Sequence, residues 1–201
     1  MVTKRITKEH TAVLKALQHV GNVSAIIAGG AVRDTYFSKP ISDIDIFIFD
    51  PVFSGKQRVN QLTTQYVSNL MGGEDVCDVW ELYHTMWSSP AGGTTNRFVT
   101  QIINLFKDGT DYQLISLKID PVEYVKKYFD VGLCMAYCDG KRMRFTERFL
   151  TDANNKTITL CGDLNKEEYD YATKNHIPRI RNKYPDFVVK VDPELHANLQ
   201  Q

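Results

Sequence analysis

The chain has 201 residues, 43% of them hydrophobic and 24% charged, with 24 basic residues against 24 acidic ones. That is enough for one core and reads as a soluble globular protein, while zero net charge argues against sequence-independent nucleic-acid binding over the whole surface, which depends on neutralising phosphates. No apolar run approaches the roughly 20 residues a membrane helix needs, and residues 1–10 lack the apolar core of a signal peptide, so a cytoplasmic location is expected.

In chain order, Val13, Leu14, Leu17 and Val20 share one stripe and predict an amphipathic helix over 7–20, stopped by Gly21 and Asn22. The run Ala-Ile-Ile-Ala at 25–28 predicts a buried strand closing on Gly29 and Gly30. Two successive glycines carry no Cβ atoms, so their backbone N–H groups can come close to a polyphosphate. Residues 31–37 then predict a short helix whose positive N-terminus adds to that field.

Asp43-Ile-Asp45 opens a second apolar run that continues through Phe49. Side chains at i and i+2 of a strand share a face, which makes Asp43 and Asp45 a carboxylate pair with Ile44 and Ile46 packed behind it. Neighbouring carboxylates repel and are costly to bury without a cation between them. Oxygen-only ligation suits Mg²⁺ or Mn²⁺, completed by water and substrate phosphates. Alone, Asp-x-Asp reads equally as a solvated pair at a strand end; joined to Gly-Gly-x-Val-Arg-Asp it points to a nucleotide site.

Downstream, a helix is expected over 56–71, ended by Gly72 and Gly73, then a strand or irregular segment over 79–83. The loop 88–95 reads as a surface connection or a substrate gate. His84 lies among Trp80, Tyr83 and Trp87 and reads as a packed residue or a stacking partner for a base. Residues 98–106 and 112–118 predict a hairpin around Asp108-Gly109, followed by a helix over 121–129. Short strands are expected over 144–150 and 157–160, flanking a turn at 152–155, then a helix from 163 that ends near Pro178 or continues past it with a break. The tail from Val191 is expected to be extended or loose.

Two basic clusters, Lys141 to Arg148 and Lys174 to Lys183, read either as solvated faces or as holds for an RNA end or a triphosphate. Cys77, Cys134, Cys138 and Cys161 form no Cys-x-x-Cys pair; small buried hydrophobes are expected, with no zinc. Ser116 has no companions that suggest acyl transfer.

The glycine pair, the Val-Arg-Asp segment and Asp43-Ile-Asp45 together resemble the signature of the DNA polymerase β-like nucleotidyltransferase superfamily, in particular the head domain of bacterial tRNA CCA-adding enzymes and poly(A) polymerases. A looser likeness continues through the hairpin and through 128–140, so the resemblance covers roughly residues 20–140. It implies an α/β (α+β) fold with a mixed sheet flanked by helices over 1–140, and a small helical extension over 141–201 that either packs on it or continues the same domain.

It also implies transfer of an NMP from an NTP, ATP or CTP favoured, with release of pyrophosphate. Asp43 and Asp45 would be the metal ligands, Gly29 and Gly30 would approach the triphosphate, and Arg33, Asp34, Lys118 and Asp130 would complete the nucleotide site. Arg33 could equally support the local helix, and Asp34 could orient Arg33 or cap that helix. The implied acceptor is an RNA 3′ end first, then a protein side chain or a small molecule, in the cytoplasm (the host's, if the chain is phage-encoded).

The departures are as informative as the match. Gln113 stands where the family has a third carboxylate; either Asp111 supplies one in another register, or two carboxylates suffice with Asp130 or substrate completing the shell. Tyr128 and Phe129 replace two arginines, Lys118 replaces another, and Cys134 replaces an asparagine. The rival reading is therefore a catalytically decayed nucleotide- or RNA-binding protein. The residues after 140 are too few for the helical body that measures a tRNA acceptor stem, which disfavours a self-sufficient tRNA-finishing enzyme.

Overall fold

The computed structural model describes residues 5–19, 23–49, 97–107 and 110–198. The expected elements at 56–71 and 79–83, the loop 88–95, His84, Cys77 and the Asp108-Gly109 turn lie outside them.

Six strands form one mixed sheet: β1 (Ser24–Ala28), β2 (Asp43–Phe49), β3 (Val99–Lys107), β4 (Thr110–Leu117), β5 (Ala136–Cys138) and β6 (Met143–Phe145). Their spatial order is β3-β4-β2-β1-β5-β6. β2 runs parallel to β4, and every other neighbouring pair is antiparallel.

Alternation along β2 and β4 divides the sheet into two apolar faces. Ile44, Ile46, Ile48, Tyr112 and Leu114 face one side, where helix α1 (Lys8–His19) brings Leu14 and Leu17 into the same buried cluster. Phe47, Ile115 and Leu117 face the other, against Tyr124 and Val125 of α3 (Pro121–Tyr128). Helix α2 (Gly30–Tyr36) follows β1 directly and buries Ala31 and Val32 in the same cluster as α1. Ile44 and Ile46 are fully buried, each contributing roughly 2–3 kcal/mol. Their burial fixes the register that turns Asp43 and Asp45 to the opposite face.

The C-terminal part differs from expectation in two places. Residues 147–155 form helix α4 (Glu147–Asn155) rather than a strand and a turn. Thr146 caps it by accepting a hydrogen bond from the Phe149 N–H at 3.1 Å, and Phe149, Asp152 and Ala153 fall on one buried face at helical spacing. The tail is also ordered: β8 (Val188–Val191) pairs in parallel with β7 (Thr157–Leu160), and Pro193 opens helix α7 (Pro193–Asn198). Between β7 and β8, helix α5 (Lys166–Tyr171) does continue past Pro178, through a π-helical turn at Ala172–His176 into α6 (Ile177–Lys183). No helix among the described residues is long and apolar enough to cross a membrane.

Candidate active site

A cleft of about 460 Å³ opens where the carboxylate face of β2 meets α3 and the α5–α6 segment. Its apolar floor includes Phe47, Ile115 and Phe129; its polar wall carries Asp43, Asp45 and Gln113 on one side and His176 and Arg179 on the other.

The glycine corner forms one edge. Gly29 has φ +75°, a conformation in which a side chain is strained. Its Cα faces the site closely: a Cβ there would lie 3.5 Å from the Phe129 ring and 3.9 Å from Asp45 Oδ2. The glycines and the carboxylates, fifteen residues apart in the chain, are thus direct neighbours.

Asp43 accepts a hydrogen bond from the Ser42 hydroxyl at 2.5 Å. Asp45 is different: its Oδ1 is buried and has no hydrogen-bond partner among the described residues. Burial first, then the neighbouring Asp43 charge, push the Asp45 carboxyl up to about 7, against the pull of Arg179, His176 and Arg33. A carboxylate oxygen buried without a partner is costly. A hard divalent cation fits that deficit, since Mg²⁺ binds through one or two carboxylates and keeps waters and phosphates for the rest of its shell. Among the described residues there is no group of three or more His, Cys, Asp or Glu side chains placed to hold a metal, so the protein ligands here would be Asp43 and Asp45.

The parallel register decides which β4 residue meets this pair. Asp45 aligns with Gln113, and Asp43 aligns with Asp111. Gln113 lines the cleft, whereas Asp111 is exposed and outside its lining.

Arg33 and Asp34 are both buried and bonded to each other, Arg33 Nε donating to Asp34 Oδ1 at 2.7 Å. Arg33 also donates to Cys134 Sγ at 3.1 Å, and its guanidinium lies beside Gly30. Burial works to lower the Arg33 pKa, yet Cys134 and Asp34 together hold it above its ordinary value. Asp34 caps no helix. It accepts from Tyr184 Oη at 2.7 Å and from the Lys183 ammonium, which ties α6 to α2. Burial pushes the Cys134 thiol up, with Asp130 acting the same way against Arg33.

Asp130 lines the cleft and is hydrogen-bonded to His176 Nδ1. The chain is held there by Gly162, whose φ is +88° and where a Cβ would lie 2.5 Å from the Phe129 carbonyl.

Lys118 is not brought to the cleft. Its ammonium donates to the Arg97 carbonyl at 2.9 Å, on the surface beyond the end of β4. Lys118→Ala is accordingly expected to leave the KM for any bound nucleotide within about twofold, as a surface change would. A rise of tenfold in a steady-state titration would return Lys118 to the site.

Of the C-terminal basic cluster, His176 and Arg179 face the cleft and Lys183 is taken up by Asp34. Tyr171, interleaved with that cluster in the sequence, also lines the cleft, as does Glu168, which carried no sequence signal of its own.

Solved structures with similar folds include the Thermotoga maritima CCA-adding enzyme complexed with tRNA, at a TM-score of 0.58 and 15% identity over 92% of this chain and 40% of that one. The Bacillus stearothermophilus CCA-adding enzyme in complex with CTP aligns at 0.52 and 15% identity over 94% and 41%. A CCA-adding enzyme complex with ATP aligns at 0.53 and 12% identity over 92% and 40%. The chain thus has a nucleotidyltransferase-like fold and spans about two fifths of the length of those enzymes. No curated protein matches it in sequence. A family model described as Gabija anti-defense 2 family protein (Gad2) matches residues 1–156.

Proposed function

Since the chain belongs to the Gabija anti-defense 2 family, we propose that it counters that defense as a metal-dependent nucleotidyltransferase, moving an NMP from an NTP to an acceptor and releasing pyrophosphate. The observation that carries this reading is the buried, unpartnered Oδ1 of Asp45 beside Asp43 and Gly29 at the mouth of the cleft. An isolated carboxylate pair in such a place is an electrostatic burden unless a cation is bound there.

Asp43 and Asp45 hold Mg²⁺ or Mn²⁺, which when bound supplies charge neutralisation for an in-line phosphoryl displacement. Gly29 and Gly30 let the triphosphate approach the backbone, and Arg33, locked by Asp34, is a fixed positive charge behind them. Arg179 is a cation lining the cleft, its charge felt at Asp45, and would meet the phosphates. An RNA 3′ end is the favoured acceptor, in keeping with the tRNA-bound neighbour. A protein acceptor suits the chain's zero net charge.

A non-catalytic nucleotide binder is the second reading, favoured by Gln113 standing in register with Asp45. The two separate on transfer of label from each α-³²P-NTP, with Mg²⁺ or Mn²⁺, into RNA and protein of a lysate from cells carrying Gabija. Label that disappears with Asp43→Asn is the expected result and names the acceptor class. Nucleotide binding without label from any NTP would overturn the enzyme in favour of the binder.

A further inference from the structure

Gln113 leaves the carboxylate side of the cleft without a third acid, and an amide cannot take a proton from an attacking hydroxyl. The opposite wall holds a group that can. His176 sits at the end of the π-helical turn, about one third exposed, lining the cleft. Its Nδ1 is hydrogen-bonded to Asp130, and its Nε2 carries no hydrogen bond among the described residues. A carboxylate on one ring nitrogen holds the imidazole as the Nδ1–H tautomer and leaves Nε2 as an acceptor. That is the arrangement of an oriented base.

We infer that the Asp130–His176 pair is the general base of this site, with His176 as a catalytic residue and Asp130 as its positioning residue. The inference rests on the nucleotidyltransferase reading. In the step, the acceptor oxygen forms its bond to the α-phosphorus as the bond from that phosphorus to the pyrophosphate oxygen breaks. The hydroxyl proton moves to His176 Nε2, the resulting imidazolium is balanced by Asp130, and the proton then leaves to solvent.

The remaining groups around the ring are compatible with this. The Tyr171 ring stands edge-on to it at 5.0 Å, while Arg179, Glu168 and Asp45 share the cleft. A purely structural latch is not needed at this point, because α6 is already tied down through Lys183 and Tyr184 to Asp34.

The test uses His176→Asn, whose amide can still donate to Asp130 but has no basic nitrogen. The assay is label transfer at saturating Mg²⁺. The expected result is a kcat lower by roughly 100-fold or more, a KM for NTP within about twofold, and loss of the acid limb of the kcat profile. In parallel, ¹⁵N spectra of the free protein should show His176 protonated at Nδ1, and Asp130→Asn should erase that preference. A variant with kcat within threefold of the parent, or one that raises only KM, would overturn the base while leaving the enzyme intact. A parent protein that transfers no label would remove both proposals together.

Discussion

Asp45→Asn is expected to abolish nucleotidyl transfer, by a factor on the order of 10³ or more, and at the same time to stabilise the metal-free protein. The second effect follows from the carboxyl being pushed up to about 7 by burial and by Asp43. Its ordinary value is about 3.9, so between roughly pH 4 and 7 the folded state holds a proton that the unfolded state has lost. Stability therefore falls as pH rises through that window. The penalty is absent below it and fully present above it, on the order of 4 kcal/mol at most.

Asparagine removes the charge but leaves a buried amide, so a net gain of about 1–3 kcal/mol is expected, or roughly 3–10 °C in Tm for a chain of this size. Thermal denaturation in chelator at pH 8 and at pH 5 checks it, and the difference between parent and variant should shrink at pH 5. Mg²⁺ at ten times its Kd should then raise the parent by about 1.4 kcal/mol and leave the variant unmoved. A variant less stable than the parent at pH 8 would mean that Asp45 is satisfied by something other than a cation.

Asp34→Ala should give the largest loss of stability. Asp34 is 2% exposed and receives Arg33, Tyr184 and Lys183. Alanine leaves the Arg33 guanidinium buried without its carboxylate, which costs about 3–5 kcal/mol. With an m-value of about 2 kcal/mol/M, the urea midpoint would fall by roughly 2 M. Activity should fall as well, because α6 carries Arg179 and loses its anchor to α2. A loss under 1 kcal/mol would show that the α2–α6 junction is held by packing alone, through Phe37, Tyr184 and Phe187.

The same residue shows how far the sequence could be read. Asp34 stands inside the most legible segment of the chain, and of its two expected roles its bond fits orienting Arg33 rather than capping the helix. It does bind Arg33, but two of its partners lie about 150 positions away. Likewise, the basic cluster 174–183 was visible as a cluster, but which of its members face the cleft depended on the phase of the helix after the π-turn. Asp152-Ala-Asn-Asn155 has turn composition, which favours a strand and turn over the helix observed at 147–155. A capped start at Thr146 and the burial of Phe149 outweigh that local preference.

The strands around the site, the glycine corner and the carboxylate pair were all legible from the residues alone. All three follow from short-range rules: alternation along a strand, and the absence of a Cβ where φ is positive. Long-range packing sets the rest: Gln113 rather than Asp111 meets Asp45, Lys118 stays on the surface, and Asp130 and Asp34 take partners from the C-terminal segment. Register between strands and docking of a distant helix are settled by how buried surfaces fit together. No local pattern carries that information.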